Sequence, residues 1–310
     1  MNKESLRIVY MGTPEISATV LAGILDAGFH VVGVVTNPDK PVGRKGILTP
    51  SPVKALALSQ GIPVYQPVKI RLDHDWLAEL MPDVILTMAY GQIVPQAVLD
   101  CPKYGCLNLH GSLLPALRGA APIQRALDLG LAQTGVTLME MVAKMDAGKM
   151  YSKATVDIEP GDNYTSLAQK IAIAAKDLAI SDLLRVVNGE LPGEEQDESQ
   201  VTFANKITPE EEKLDFASPR EPLLRHIRAL SLTPGAYAFL EGKKLKILRA
   251  EPAALPLGKI GEVVSVHKGF FVSCADGVIN LTEVQLEGKK PCDGKSFVNG
   301  YRDLLGKVLS

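Results

Sequence analysis

The sequence predicts an α/β protein, in which a Rossmann-like, doubly wound, mostly parallel sheet domain is followed by a small OB-like β-barrel domain. Three observations support this class. Apolar strand patterns alternate with amphipathic helix patterns up to residue 187, a polar stretch rich in Gly and Pro follows, and short alternating strands then recur between Gly-rich turns. We expect residues 1–189 to form the first domain, residues 190–208 a linker, and residues 209–310 the barrel.

Length and composition set the broad class. The 310 residues favour about two domains, and the net charge of −2 gives no general affinity for nucleic acid, although it is compatible with a local basic surface. The four cysteines form no C-x-x-C pair, which indicates reduced thiols. The amino terminus has no basic-then-apolar signal pattern, and no run of about 18 apolar residues occurs. We expect a cytoplasmic monomer with no membrane anchor.

The chain opens with a strand–helix–strand unit. Residues 6–10 are predicted as a buried strand, residues 15–27 as a helix with one apolar face, and residues 30–36 as a second strand. The turn after the first strand carries only Gly12, so the G-x-G-x-x-G fingerprint is absent. This argues against a nicotinamide or flavin cofactor.

Residues 37–52 are too rich in Pro and Gly for a helix or strand and predict a long loop. It carries Lys40, Arg44 and Lys45. Loops of this length are uncommon in compact domains unless they have a function. Two interpretations remain open from composition, a solvated crossover and a flexible basic finger that contacts a phosphate backbone.

The remaining elements of the first domain follow the same alternation of apolar strands and amphipathic helices. The predicted helices are 53–58, 76–80, 120–129 and 163–187, and the predicted strands are 63–65, 83–88, 106–109, 136–142 and 151–158. The connection before residue 151 is too short for a helical crossover, so the last strand should be antiparallel.

After residue 202 the pattern changes to short strands. We predict helices at 209–213 and 219–230, and strands at 236–240, 244–250, 261–267, 269–274 and 278–284. The segment is comparatively rich in lysine, and small barrels of the OB type often bind oligonucleotides. A merely solvated lysine surface explains the composition equally well.

A polar pair interrupts one strand that otherwise has a buried pattern. Asn108 and His110 lie two residues apart, hence on one face, and Gly111 and Pro115 then end the strand. Ligands of open α/β sheets bind at this carboxyl edge. Asp146 lies in a polar turn after the next strand, so the three supply an amide donor, a base and a carboxylate.

No G-x-S-x-G nucleophile elbow accompanies this group. The absence disfavours an acyl-enzyme and favours direct acyl transfer between two bound substrates.

These residues resemble a known family, the 10-formyltetrahydrofolate-dependent formyltransferases. Four motifs carry the resemblance, namely Asn108-Leu-His110, Ser112-Leu-Leu-Pro115, Arg118-Gly-Ala-Ala-Pro122 and Asp146-Ala-Gly148. Within the family, the chain is most similar to members that formylate methionyl-tRNA. That similarity includes residues 11–14, the 37–54 loop region, residues 203–208 and the C-terminal barrel.

The resemblance implies a reaction and a set of site residues. The amino group of initiator methionyl-tRNA would attack the formyl group of 10-formyltetrahydrofolate, the donor cosubstrate, and no metal would be needed. Asn108 would donate to the tetrahedral oxyanion, His110 would manage the proton, and Asp146 would orient or charge-balance His110. By the same resemblance the folate site contains Ser112, Leu113, Leu114, Pro115, Tyr90 and Gly91, and the tRNA site contains Arg44, Lys45 and Lys206.

Three other functions compete with this interpretation. A sugar-nucleotide N-formyltransferase can share the triplet and the barrel, but its counterpart of the 37–52 loop is shorter and less basic. A hydrolase that deformylates the folate is disfavoured because we see no extra amino-terminal regulatory region. The intact Asn108, His110 and Asp146 argue against a catalytically silent RNA-binding module.

Overall fold

The computed structural model describes residues 1–42, 46–301 and 303–310. Arg44 and Lys45 lie outside the described residues. The chain forms two compact units. The first contains residues 1–122, 133–157 and 168–205, and the second contains residues 123–132, 158–167 and 206–310.

The first unit is built on a seven-stranded sheet with the order β5-β2-β1-β6-β7-β8-β9. The strands of this unit, which include a separate pair, are β1 Ile8–Gly12, β2 Val31–Val35, β3 Lys40–Val42, β4 Ile47–Thr49, β5 Val64–Tyr65, β6 Val84–Met88, β7 Cys106–His110, β8 Gln133–Glu140 and β9 Met150–Asp157. The strands β5, β2, β1, β6 and β7 are parallel to one another. Strand β8 pairs antiparallel with β7, and β9 pairs antiparallel with β8, as predicted for this last strand. Every residue of β1 and β6 is buried, as expected for strands covered on both faces.

The helices that follow these strands along the chain come in the predicted order, except for a short helix at residues 96–99 that was not predicted. They are α1 Glu15–Asp26, α2 Pro52–Ser59, α3 Gln96–Leu99, α4 Pro122–Asp128 and α5 Tyr164–Val187. Ser51 begins α2 by accepting a hydrogen bond from the Lys54 backbone, and Pro52 occupies the first helical position, where no N–H is needed. Residues Asp75–Leu80, predicted as a helix, form a 3₁₀ helix. None of the helices in the described ranges is long and apolar enough to cross a membrane.

The prediction that residues 37–52 contain no strand was wrong. Strands β3 and β4 form an antiparallel hairpin in which Pro41 lies opposite Leu48. An isolated two-stranded ribbon has only edge strands, so a proline can be placed where it removes no hydrogen bond from a sheet interior. Composition therefore excluded a central strand here but not a ribbon.

The second unit contains a six-stranded antiparallel sheet with the order β10-β11-β14-β13-β12, and β15 pairs with β14. Its elements are α6 Arg220–Ala229, β10 Ala236–Leu240, β11 Lys243–Ala253, β12 Val263–Ser265, β13 Phe271–Ser273, β14 Val278–Leu286, β15 Cys292–Asp293 and α7 Gly294–Asn299. The predicted fold class is confirmed: a parallel-rich Rossmann-like sheet and a separate antiparallel sheet domain.

Residues 307–310 join the two outer strands of this sheet. Ser310 exchanges two backbone hydrogen bonds with Phe239 of β10, at 2.7 and 3.1 Å. On the other side, Val263 of β12 donates to the Lys307 carbonyl, and Leu309 donates to the Gly261 carbonyl, both at 2.8 Å. The sheet is thus closed by this segment, which covers both edges.

The predicted helix at residues 209–213 does not form, so that prediction was wrong. The segment has turns, and Lys213 pairs with Tyr237 of β10 in an isolated bridge. Leu214 is buried and donates to the Tyr237 carbonyl at 2.8 Å. Pairing with the sheet therefore outcompetes the weak local preference for a helix.

Candidate active site

Asn108 and His110 lie on one face of β7, and His110 is its last residue. The register places Thr87 of β6 and Met139 of β8 beside Asn108, and Thr137 of β8 beside His110. His110 is only 5% exposed, whereas Asn108 is partly exposed. The pair thus lies where the sequence predicted it, at the carboxyl end of a buried strand.

The two ring nitrogens of His110 face different partners. Nε2 lies 2.9 Å from the Leu117 carbonyl oxygen, which can only accept, so this nitrogen carries the hydrogen of the neutral ring. Nδ1 then carries the lone pair and lies 3.7 Å from Asp146 Oδ2. The neutral ring therefore presents Nδ1 as a base beside a carboxylate, which would stabilise the protonated ring.

Asp146 is held in a turn between β8 and β9. Its backbone has a φ of +50°, a left-handed conformation that aspartate tolerates better than most residues. Its Oδ2 accepts a hydrogen bond from the Gly119 backbone at 2.8 Å. A Cβ on Gly148 would lie 2.1 Å from the Glu140 carbonyl oxygen, so only glycine lets the turn approach the end of β8 this closely.

The Asn108 amide is available to a ligand, because no residue in the described part of the chain forms a hydrogen bond with it. An uncharged amide donor beside a base and a carboxylate can stabilise a developing oxyanion and move one proton. The structure brings Asn108, His110 and Asp146 into one site, as the sequence predicted, and their catalytic roles remain a prediction.

The 112–115 turn divides into buried and accessible residues. Ser112 is 1% exposed and donates through its hydroxyl to the Ala116 carbonyl at 2.6 Å. Leu114, also 1% exposed, packs with Met139 and Met150. Leu113 and Pro115 are only partly buried, so they are the members that a folate can reach.

Thr137 was not predicted as part of this site. Its hydroxyl donates to the Ser112 carbonyl at 2.8 Å and accepts from the Leu114 backbone at 3.1 Å. The available signal was a polar residue in an otherwise apolar strand, on the same face of the sheet as His110.

Tyr90 and Gly91, predicted at the folate site, follow β6. The Tyr90 side chain is 2% exposed in the core of the first unit, and burial raises the pKa of its phenol. Its carbonyl accepts from Asn37 Nδ2 at 2.7 Å and from Thr13 Oγ1 at 3.0 Å. Of these two residues, a folate could therefore reach the exposed Gly91 but not Tyr90, which is buried.

The remaining predicted residues concern tRNA. Lys206 is exposed, at the start of the last segment of the second unit. The predicted Arg44 and Lys45 contacts fall outside the described residues and stay predictions.

Arg118 and Gln196 form a buried pair that the sequence did not place in the site. Arg118 is 1% exposed and Gln196 is 8% exposed, and Arg118 Nε donates to Gln196 Oε1 at 2.9 Å. Arg118 Nη2 also reaches Glu198 Oε1 at 2.9 Å, which lowers the pKa of that carboxyl group. Arg118 belongs to the 118–122 motif of the sequence analysis. The sequence around Gln196, which lies 78 residues away, contains no feature that indicates a site residue.

Cys106 lies at the start of β7. Burial raises the pKa of its thiol to about 12, so it is an inert thiol rather than a nucleophile. Within residues 1–42, 46–301 and 303–310, no group of three His, Cys, Asp or Glu side chains is arranged to hold a metal ion.

Comparison with protein families assigns both parts of the chain. Residues 6–183 match the family model described as formyl transferase, and residues 206–302 match the one described as formyl transferase, C-terminal domain. The chain belongs to the formyl transferase family. The resemblance predicted from the sequence is confirmed, and this formyl transferase is a transferase of one-carbon groups.

Individual relatives refine this assignment. The methionyl-tRNA formyltransferase of Bacillus licheniformis is 47% identical to this formyl transferase over 299 residues, which cover 95% of each chain. Among solved structures, HypX from Aquifex aeolicus in complex with tetrahydrofolic acid matches with a TM-score of 0.71 at 18% identity. The match covers 97% of this chain and 48% of HypX, so this formyl transferase spans about half the length of that protein.

A third relative has been solved with a sugar nucleotide. The N-formyltransferase from Helicobacter canadensis, in complex with folinic acid and dTDP-3-aminofucose, matches with a TM-score of 0.68 at 18% identity. This match covers 89% of this chain and 98% of that chain. At this identity the two solved structures establish a shared fold alone, and the fold does not distinguish between acceptors.

Proposed function

We propose that the protein transfers the formyl group of 10-formyltetrahydrofolate to the α-amino group of initiator methionyl-tRNA, and that it acts as a monomer in the cytoplasm. The observation that carries the proposal is the 47% identity over 95% of the chain to a methionyl-tRNA formyltransferase. The product would be N-formylmethionyl-tRNA for the initiation of translation.

The reaction begins with deprotonation of the acceptor. An α-amino group has a pKa of about 7.7 to 8.0, so it is largely protonated at neutral pH and must release one proton to the solvent before it becomes a nucleophile. The nitrogen lone pair then attacks the formyl carbon, and the electrons of the C=O bond move to the oxygen. The Asn108 amide donates a hydrogen bond to that oxyanion.

His110 transfers a proton from the attacking nitrogen to the leaving nitrogen as the tetrahedral intermediate collapses, and Asp146 assists it. Nδ1 of His110 takes the proton that the attacking nitrogen loses, and the carboxylate 3.7 Å away balances the charge of the ring. When the C–N bond to the folate breaks, the leaving N10 takes up a proton from His110. The ring returns to its neutral form, and no covalent enzyme intermediate is formed.

The folate would lie against the turn after β7. Leu113 and Pro115 supply partly exposed apolar surface, whereas Ser112 and Leu114 hold the turn from the inside. The exposed Gly91 would form the wall after β6, and the buried Tyr90 would support it from behind.

The tRNA would be held by basic groups. Arg44, Lys45 and Lys206 are the proposed contacts, and the charge distribution of the chain supports a role for its last third. Residues 206–310 carry 16 Lys and Arg against 13 Asp and Glu, whereas residues 1–205 carry 17 against 22. Contacts with phosphates release counterions and therefore weaken with salt.

A sugar-nucleotide N-formyltransferase is the second candidate, because the Helicobacter canadensis enzyme shares the fold. One experiment separates the two. The protein is incubated with 10-formyltetrahydrofolate labelled in the formyl group, together with either methionyl-tRNA or an amino-sugar nucleotide. We expect label only in the tRNA, and label only in the sugar nucleotide would overturn the proposal.

A further inference from the structure

The turn that carries Asp146 is anchored by a side chain from a distant part of the first unit. Gln196 Nε2 donates to the carbonyl oxygens of Asp146, at 2.9 Å, and of Gly148, at 2.8 Å. These two bonds use both hydrogens of the amide and fix the turn on either side of residue 147. No other side chain among the described residues donates to both carbonyls.

Arg118 fixes the orientation of the Gln196 amide. A guanidinium group can only donate, so the Gln196 atom that lies 2.9 Å from Arg118 Nε must be the oxygen. The nitrogen must then face the two carbonyls of the turn. In the flipped amide, donor would face donor and oxygen would face carbonyl oxygen, so the arrangement has one orientation.

The residues on either side of Arg118 contact His110 and Asp146. The Leu117 carbonyl bonds with His110 Nε2, and the Gly119 backbone donates to Asp146 Oδ2. Between them, the Arg118 backbone donates to the Thr202 carbonyl at 2.9 Å and accepts from the Ala204 backbone at 2.7 Å.

Only glycine permits this approach at residue 119. Gly119 has a φ of +124°, and a Cβ there would lie 2.7 Å from the Ala204 carbonyl oxygen. One three-residue segment, 117–119, therefore holds both His110 and Asp146 and is itself held by residues 202–204.

The cost of burying Arg118 indicates a positional role. Its Nη1 has no acceptor within the described ranges, and its charged partner Glu198 is largely exposed. Burying an incompletely paired guanidinium costs stability, which an apolar side chain of similar volume would avoid. Such departures from good packing are expected where geometry serves a reaction.

We propose that Gln196 and Arg118 are positioning residues for formyl transfer. They hold the Asp146 turn and the 117–119 segment at the spacing that His110 requires. The inference rests on the proposed function, because it assigns no new reaction. It predicts that the pair affects the chemical step rather than the binding of either substrate.

Gln196→Glu tests this in the full-length protein. Glutamate keeps an acceptor for Arg118 but places an oxygen against the carbonyls of Asp146 and Gly148, so the turn is repelled. We expect kcat to fall about 10- to 100-fold, since small displacements of reacting groups have effects of this size. The KM for 10-formyltetrahydrofolate and the KM for methionyl-tRNA should stay close to those of the parent protein. The melting temperature should fall, because the carbonyls of Asp146 and Gly148 lose their hydrogen bonds, but the variant should remain folded.

Gln200→Glu is the matched control. Gln200 lies in the same segment and is exposed, and its amide donates only to Asp197, at 2.9 Å. The same change in charge at this position should leave kcat unchanged. A kcat of Gln196→Glu within twofold of the parent, or a loss equal to that of the control, would overturn the proposal.

A double mutant distinguishes positioning from general support of the fold. In an Asp146→Ala background, measured in single turnovers with excess enzyme, Gln196→Glu should slow the reaction no further, because no carboxylate remains to be displaced. Equal slowing in both backgrounds would mean that the amide only supports the fold.

Gln196→Met is a second variant, to be used if Gln196→Glu does not fold. Methionine has a similar shape to glutamine and carries no charge. If circular dichroism shows that neither variant folds, the amide serves stability and the inference fails. The activity of the parent protein with methionyl-tRNA distinguishes a failure of this inference from a failure of the proposed function. If the parent does not formylate methionyl-tRNA the function is wrong, whereas an active parent with an equally active Gln196→Glu rejects only the inference.

Discussion

His110 of β7 and Thr137 of β8 are neighbouring cross-strand partners on one face of the sheet. Each forms hydrogen bonds with a different part of the turn that follows His110. His110 bonds with the Leu117 carbonyl, at the end of the turn, whereas the Thr137 hydroxyl bonds with Ser112 and Leu114 near its start. The turn is therefore shaped by side chains of the sheet as well as by its own Gly111 and Pro115.

Asn108→Ala should remove the proposed oxyanion donor. We expect kcat to fall about 10²- to 10³-fold, which is the usual cost of losing one such donor, while the KM for the folate changes little. Steady-state kinetics with methionyl-tRNA as acceptor measure both quantities. Asn188→Ala, at an exposed site whose amide contacts the amino-terminal residue, is the control. Turnover within threefold of the parent would exclude the assigned role.

Thr137→Val should destabilise the protein and weaken folate binding. The change leaves the Ser112 carbonyl and the Leu114 N–H buried and unpaired, at a cost of about 1 to 3 kcal/mol. Urea unfolding and the KM for 10-formyltetrahydrofolate test the two effects.

Thr134→Val, on the same strand, is the contrasting variant. Its buried hydroxyl has no partner among the described residues, so losing it should be neutral or stabilising. Equal destabilisation by the two valines would contradict the role given to the Thr137 hydroxyl.

At the scale of elements, α4 and α6 are joined by an ionisable cluster in the second unit. His226 Nδ1 lies 2.9 Å from Asp128 Oδ1, and His226 Nε2 lies 2.7 Å from the Glu211 carbonyl. Arg125 pairs with Glu211 at 2.7 Å and lies 3.6 Å from Asp128. The hydrogen bond with Asp128 is the largest cause that raises the pKa of His226, and burial opposes it.

This cluster makes stability depend on pH. Because the folded pKa of His226 is raised above 6.5, its contribution is complete below that pH and is lost as the pH rises through the folded value. His226→Gln should therefore lower the melting temperature most at about pH 6 and progressively less at higher pH. Thermal unfolding of both proteins across this range is the measurement. A difference that stays constant with pH would show that His226 contributes only neutral contacts.

The sequence predicted correctly those helices and strands whose pattern of apolar residues lies within the element itself. The apolar runs of β1, β6 and β7 and the helix pattern of α5 lie within a few residues of the predicted bounds. The β3–β4 hairpin and the extended stretch around Lys213 were missed because their pairing partners, not their own composition, make them strands.

The same distinction between local signals and distant partners applies to the residues of the candidate active site. Asn108 and His110 could be selected because polar residues at the end of a buried strand are conspicuous, and Asp146 because it lies in the polar turn after the next strand. The structure brings His110 and Asp146 to within 3.7 Å. Gln196 could not be selected, because a glutamine in a polar stretch is unremarkable until Arg118 is placed beside it. A part of the predicted linker thus packs within the first unit, and the predicted domain boundaries stay a prediction.

At the scale of the whole molecule, the two parts of the chain differ in charge. The net negative balance of residues 1–205 and the positive balance of residues 206–310 predict different responses to salt for the two substrates. Raising KCl from about 50 to about 200 mM should increase the KM for methionyl-tRNA about tenfold or more, because several phosphate contacts are screened. The KM for the folate should change less than about twofold. Parallel changes in the two constants would argue against binding of tRNA through its phosphates.

Closure of the second sheet by residues 307–310 has a consequence for synthesis. Phe239 pairs with Ser310, about 70 residues further along the chain, so this seam is among the contacts with the largest sequence separation in the unit. On a ribosome the seam cannot form until residue 310 has left the exit tunnel, whereas β10 and β11 can pair much earlier. Residues 212–214 can already cover β10 at Tyr237 during that interval. The outer edge of β12 and the Phe239 end of β10 are still unpaired, and they are the surfaces that a nascent-chain chaperone would have to protect.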